Sequence, residues 1–459
     1  MFPEWPGLAR QSEIMKEVGT MASHKTSEEM IRFFFDEALQ AVDPYRAVSR
    51  YCRQVRSLFE NEGLQRLCFV SLGKAAALMA KGLLDGVGDI STEGIVITKY
   101  GHVGPCFFPD TVNVFESGHP LPDENGMRAA EQVFNLLNAA DDRTLAVFLI
   151  SGGGSSLLSC PCEGITLAEK QRVTELLLRA GADIYELNTV RKHISAVKGG
   201  RLAEIACPAR IVSLILSDVI GDPLDVIASG PVSPDSSTFS DALHVICKYG
   251  LAESMPPNVM KLLFTGAGGD IPETPKAGDP IFDRVENIVI GNNAAALEAA
   301  KKAAEQSGYA ASIIATSLTG EASHAGQKLA KTALDRLKAM EHGEKVCLVA
   351  GGETTVTVTG NGTGGRNTEL ALAFGMAVHD VAGITFLSAG TDGTDGPTDA
   401  AGAVVTGRTG SEARIRGLDP HIFLARNDSY AFFKAIDGLL ITGPTGTNVM
   451  DVQLILLEK

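Results

Sequence analysis

The chain has 459 residues, room for two or three α/β domains and too many for one small module. With 45% hydrophobic residues, 21% charged residues and 49 Gly, it reads as a folded protein rich in tight turns and not as a disordered one. Forty Lys and Arg against 55 Asp and Glu leave a net charge of −15 with no long basic run, which argues against nucleic acid or anionic membranes as partners.

The eight cysteines are irregularly placed, and Cys160 and Cys162 have neither zinc-site nor thioredoxin spacing, so a reducing compartment is expected. No apolar run reaches the ~20 residues that cross a bilayer. The opening segment carries Glu4, Glu13 and Glu17 and no apolar core of a signal peptide, and the expected localisation is cytoplasmic. Oligomeric state is not legible.

In chain order, short apolar runs read as strands: "RLCFVSL" (66 to 72), "GIVITKY" (94 to 100), "LAVFLI" (145 to 150), "RIVSLIL" (210 to 216), "ENIVIG" (286 to 291), "KVCLVAG" (345 to 351) and "GITFLSAG" (383 to 390). Amphipathic helical stretches such as "AEKQRVTELLLRAG" and "AALEAAKKAAEQSG" lie between them. This alternation predicts βαβ units and mostly parallel sheets covered on both faces, an α/β fold of Rossmann-like three-layer α/β/α domains. The Gly- and Pro-rich stretch from 265 to 280 is the expected linker, giving an N-terminal domain of residues 1–270 and a C-terminal one of 281–459. After residue 350, "ETTVTVTG" alternates like a half-exposed strand. The tail "GLLITGPTGTNVMDVQLILLE" reads as two strands around a turn, an antiparallel edge.

Ligands of open α/β sheets bind beyond the carboxyl ends of strands, so the residues just after each apolar run carry the chemistry. Lys74 follows the first strand, where an ammonium reaches phosphates, although most single lysines are surface residues. "SGGGSS" follows the strand ending at 150 and comprises Ser151, Gly152, Gly153, Gly154, Ser155 and Ser156. It is either an anion cradle or a tight turn that needs glycine. It is not a Walker A loop, and it lacks the dinucleotide fingerprint.

"NTVRKHISAVKGGRLAEI" reads as one helix on which Arg191, Ser195 and Lys198 share a basic face, suited to a charged substrate or to acidic neighbours. His193 has no partner at metal-ligand spacing. Asp218 follows the strand at 210 and reads as a base or Mg²⁺ ligand, whereas Asp222 and Asp225 read as turn residues. Glu353, Arg366, Glu369, Asp392, Asp395 and Asp399 fall in Gly-rich loops after strands. Arg366 opens a helix and suits phosphate oxygens, and Asp392 or Asp395 suits Mg²⁺ unless the Asp-Gly pairs are ordinary turns.

"SGGGSSLL", "NTVRKHISAVKGGRLA", "SDVIGDPLDVIASGPVSPD", "GGETTVTVTGNGTGGRNTELALAF", "SAGTDGTDGPTDAAGA" and "GPTGTNVMDVQL" together resemble the class-II glycerate kinases, whose C-terminal part (about 345 to 459 here) is the MOFRL domain. The likeness runs from about residue 27 to the end. It implies ATP-dependent phosphorylation of the small molecule D-glycerate at its 2-hydroxyl, with Mg²⁺, in an active-site cleft between the two domains. Residues 265 to 280 would then be the hinge. The resemblance makes Lys74 and Arg366 essential and Asp218 contributory. A second reading, NAD(P)-dependent hydroxypyruvate reductase, comes from another name given to members of this family.

Overall fold

The computed structural model describes residues 26–459. These divide into two compact units, one of residues 41–293 with 446–449, the other of 294–445 and 450–459 with the described residues before 41. The division falls at 293/294, not in the expected linker. Residues 265 to 280 are tied into the first unit instead: the Asp235 amide donates to Pro275 O at 2.9 Å, and Thr274 Oγ1 donates to Asp235 Oδ2 at 2.9 Å. The strand that follows completes the first sheet, so a boundary at 270/281 would strip it of an edge.

That sheet holds β1 (Arg66–Leu72), β2 (Thr92–Lys99), β3 (Val112–Ser117), β4 (Thr144–Ile150), β5 (Arg210–Leu216) and β6 (Val285–Gly291), all parallel, in the order β3-β2-β1-β4-β5-β6. Every residue of β4 is buried, as a continuous apolar run in a doubly covered parallel sheet requires. One face packs Val70, Ile97, Phe148 and Ile215 into a single core. Strand order reverses between β1 and β4, the switch point at which open sheets bind ligands, so the loops after these strands are privileged. Helices Leu167–Arg179, Ile184–His193, Phe239–Lys248 and Pro257–Ala267 form a second core around Val173, Val190, Phe239 and Leu263.

The second unit has a mixed sheet of β7 (Ala310–Leu318), β8 (Lys345–Gly352), β9 (Ile384–Gly390), β10 (Gly402–Thr406), β11 (Leu439–Leu440) and β12 (Asp451–Glu458), ordered β11-β10-β9-β12-β8-β7. β12 is not the edge hairpin expected from the tail. It lies antiparallel between β8 and β9, and its first residue, Asp451, pairs with the last residues of both, Gly352 and Gly390. Seven consecutive buried residues from Asp451 to Leu457 explain this, because an apolar strand is stabilised more at the centre of a sheet than at its rim. "ETTVTVTG" forms no strand and contributes only an isolated bridge from Thr355 to Glu321. No described helix is long and apolar enough to cross a membrane.

Candidate active site

In the first unit the loops after β1, β4 and β5 meet. The Lys74 amide donates to Gly152 O at 2.9 Å, and the Ala75 amide donates to Ser151 Oγ at 3.1 Å, so the switch-point loops are stitched together. Gly152 lies against the Asp218 carboxylate: a Cβ there would stand 2.1 Å from Asp218 Oδ2. No other residue type fits that approach. A Cβ on Gly153 would stand 2.9 Å from His119 Cδ2 and 3.4 Å from Lys74 Cγ. Lys74, His119 and Asp218 therefore surround two consecutive glycines, and all three side chains are half-buried. Burial, then the charges of Lys74, Lys99 and His102, push His119 down to about 4, so its imidazole is neutral at physiological pH.

The remaining residues of the loop divide. Ser151 and Ser156 hold the turn through backbone contacts, and Gly154 packs against Leu72. Ser155 turns the other way, where its Oγ accepts from Arg191 Nη2 at 2.7 Å and Lys198 Nζ at 2.9 Å and lies 2.8 Å from Ser229 Oγ. Lys198 Nζ also donates to Ser155 O at 2.6 Å. The long helix expected through 188 to 205 is absent: it stops at His193 and restarts at Arg201. Arg191 and Lys198 thus do not share a helix face. The connecting loop folds back and brings both to Ser155 regardless, while Ser195 faces Lys170, whose Nζ donates to its Oγ at 3.3 Å.

The basic segment answers the question of acidic neighbours residue by residue. Lys192 is paired with Asp225 at 3.0 Å and Asp235 at 3.1 Å, and His193 meets Glu273 at 3.2 Å. Lys170, Arg191 and Lys198 have only neutral oxygens against them among the described residues, and Arg191 Nε is buried with no hydrogen-bond partner. Burial lowers Arg191 to about 10 and Lys198 well below the ordinary lysine range. Such a cluster is costly unless an anion joins it.

In the second unit, the carboxyl ends of β8 and β9 and the amino end of β12 share one rim. Arg366 opens the helix Arg366–Ala377, which is buried from Asn367 to Gly375 and stacks Phe374 on Phe386 of β9. Its Nε and Nη2 donate to Asp451 Oδ2 at 2.6 Å and Oδ1 at 2.9 Å, and its Nη1 lies 2.7 Å from Glu353 Oε1. Burial works against the guanidinium, but Asp451 and Glu353 outweigh it and hold Arg366 firmly charged.

Asp395 is used differently from the Mg²⁺ role read for it. Its buried carboxylate accepts from the amides of Asn367 and Thr368 at 2.9 and 2.8 Å and from Thr368 Oγ1 at 2.8 Å, capping the helix that carries Arg366. Asp399 accepts from the Tyr430 hydroxyl, and Glu369 from Asn427. Asp392 Oδ1 accepts from the amide and hydroxyl of Thr394 at 3.1 and 3.0 Å, the turn chemistry of an Asp-Gly loop, and a Cβ on Gly390 would stand 3.4 Å from it and 3.5 Å from Asp451 Oδ1. No three His, Cys or carboxylate groups among the described residues make a metal cage. Kinase Mg²⁺ needs only one or two carboxylates beside substrate phosphates, and these two fit.

His119, Lys170 and Asp451 were missed from sequence. His119 follows β3, whose polar run gave no strand signal. Lys170 looks like any helical lysine. Asp451 sat inside a recognised motif but was read as the start of an edge strand.

Two α/β units that gather charged side chains and glycine loops at the carboxyl ends of their strands have the architecture of a small-molecule enzyme. A model described as a domain of unknown function, DUF4147, matches residues 30–264, and the MOFRL family model matches 346–451. The D-glycerate 2-kinase of Thermotoga maritima is 45% identical over 91% of this chain and 95% of its own. A protein of Agrobacterium vitis, provisionally named a hydroxypyruvate reductase, is 40% identical over 94% of this chain and 95% of its own. The crystal structure of the Thermotoga maritima glycerate kinase superposes with a TM-score of 0.83 at 44% identity, covering 94% of this chain and 99% of that one. The chain belongs to the glycerate 2-kinase family.

Proposed function

We propose that the protein transfers the γ-phosphoryl group of ATP to the 2-hydroxyl of D-glycerate, giving 2-phosphoglycerate and ADP. The observation that carries this reading is the cluster of Arg191 and Lys198 on Ser155 with Lys170 on Ser195, which has no carboxylate against it among the described residues. A small carboxylic acid neutralises it. Asp218, against Gly152 three positions before Ser155 in the same loop, is then assigned to the hydroxyl next to that carboxylate.

Phosphoryl transfer asks a protein for positioning and charge neutralisation more than for covalent chemistry. Arg191, Lys198 and Ser155 hold the glycerate carboxylate. Asp218 accepts a hydrogen bond from the 2-hydroxyl and takes its proton as the bond to phosphorus forms. Lys74 and Arg366 bind phosphoryl oxygens, and the neutral His119 adds no second positive charge beside Asp218. Asp392, with Asp451 beside it, would hold Mg²⁺, which supplies charge neutralisation of the phosphates.

The reductase reading lacks support at the switch point, where Gly73-Lys74 stands in place of the glycine fingerprint of dinucleotide folds. Incubation with D-glycerate, ATP and Mg²⁺, with ³¹P and ¹³C NMR of the product, tests the proposal. Phosphate on the 2-hydroxyl is expected. Phosphate on the 3-hydroxyl, or oxidation of NAD(P)H by hydroxypyruvate without ATP consumption, would overturn it.

A further inference from the structure

Three buried lysines and the half-buried Arg191 lie on or beside the helix Ile184–His193, and their partners separate them. Lys192 is paired by two carboxylates, the ordinary solution for a buried ammonium. Among the described residues Lys170, on the preceding helix, is 3% exposed and its ammonium bonds only Ser195 Oγ, which itself donates to Cys160 O at 3.2 Å. Among the same residues Lys198 is 1% exposed and its ammonium bonds only oxygens of Ser155. Arg191 meets Ser155 Oγ and keeps its Nε unpartnered. Arg191 and Lys198 touch one serine. Lys170 bonds Ser195, and its positive charge acts on Lys198.

We propose that Lys170 is a positioning residue for the acceptor substrate: its charge completes, with Arg191 and Lys198, a tripositive pocket for the glycerate carboxylate, so that glycerate and one proton bind together. This rests on the assignment of Arg191 and Lys198 to that carboxylate. Lys170 acts through these two cations and through Ser195.

The groups facing Lys170 are few. Arg191 comes from the next helix, Lys198 from the loop beyond it, and Cys160 and Cys162 from the segment before its own helix. Burial, then Arg191, lowers Lys170 to about 7, and the two cysteines oppose this weakly because burial raises their own thiols. An incoming carboxylate favours the charged ammonium, so Lys170 takes up a proton near neutrality. Glycerate affinity then falls as pH rises above about 7, by up to about tenfold per pH unit.

The test is calorimetric titration of the full chain with D-glycerate, without nucleotide, in buffers of different ionisation enthalpy near neutral pH, together with KM for glycerate and ATP across pH. The expected result is uptake of up to about one proton, and a glycerate KM that climbs above pH ~7 while the ATP KM stays flat. Lys170→Met should raise the glycerate KM about tenfold or more at pH ~6.5, abolish the break near 7 and leave kcat within a few-fold. Lys170→Arg, which cannot lose its proton, should keep the low KM at high pH and bind glycerate without proton uptake.

Glycerate binding without proton uptake in the natural protein, or a break near 7 that survives Lys170→Met, overturns the inference; the second outcome would assign the titration to Lys198. Should the Met variant fail to fold, the natural protein and the Arg variant decide. If D-glycerate is phosphorylated but binds independently of pH, only this inference fails. If it neither binds nor reacts, the functional reading fails and takes this one with it.

Discussion

Arg366 and Asp451 form a two-point ion pair, Nε to Oδ2 at 2.6 Å and Nη2 to Oδ1 at 2.9 Å, between the first residue of a buried helix and the first residue of the central strand β12. Asp451 is 1% exposed. Burial pushes its carboxyl up to about 6 against the pull of Arg366, so both are charged at neutral pH. The pair fixes the direction of the guanidinium, and with Nη1 against Glu353 it leaves one N–H on each of Nη1 and Nη2 for further acceptors such as phosphoryl oxygens.

Replacing Arg366 with Ala should therefore do two things. Turnover should fall by about two to five orders of magnitude, as when charge-stabilising groups are removed from phosphoryl transfer. The melting temperature should fall as well, because a buried carboxylate loses its partner. A carboxyl raised above its unfolded value contributes stability that is present at low pH and is lost as pH rises through the folded value. The thermal deficit of Arg366→Ala should thus be larger at pH ~8 than at pH ~5.5, and scanning calorimetry at the two pH values checks it. Equal deficits would show that Asp451 is not the group left exposed to the change.

Asp218→Asn keeps size and hydrogen-bonding capacity but removes the charge that a base needs, so turnover should collapse with the fold intact. Gly152→Ala tests the same group from outside. Its methyl would meet Asp218 Oδ2 at 2.1 Å and must displace the carboxylate, and a shift of about 1 Å at a reacting group costs on the order of 100-fold. Steady-state kinetics on both variants checks this. Near-natural rates in both would remove Asp218 from the mechanism.

Lys74→Met should depress turnover by about two to five orders of magnitude with little change in melting temperature, since Lys74 is half-buried at a loop and not in the core. It carries a second signature. Burial is the first cause of the low His119 value and Lys74 the second, so the variant should raise the His119 pKa while leaving it below that of a free imidazole. Imidazole chemical shifts followed through a pH titration check this. An unmoved His119 would separate the two side chains.

Asp395→Asn should act on stability rather than on metal dependence. The carboxylate caps the Arg366 helix through the amides of Asn367 and Thr368, and loss of one cap acceptor costs about 1 kcal/mol. The Mg²⁺ concentration for half-maximal rate should stay as it is in Asp395→Asn and rise in Asp392→Asn. A Mg²⁺ curve displaced in the Asp395 variant would restore a metal role to Asp395.

What the sequence by itself determined is what local pattern encodes. Apolar runs such as "RLCFVSL" and "RIVSLIL" mark β1 and β5 to the residue, because a parallel strand covered on both faces is mostly apolar along its length. Glycines and charges just beyond those runs mark Lys74, Gly152 and Asp218 as candidate site residues, because strand ends of such sheets open onto the switch point. Tertiary structure alone decided the rest. Nothing local in "DVQLILLE" says that it enters between β8 and β9 instead of adding at an edge, yet that register is what sets Asp451 under Arg366. Nor does helical spacing bring Arg191 to Lys198. The chain leaves the helix at His193, and the loop brings two like charges onto Ser155 with Lys170 on the neighbouring Ser195, an arrangement that repels itself and is held by the packing around it.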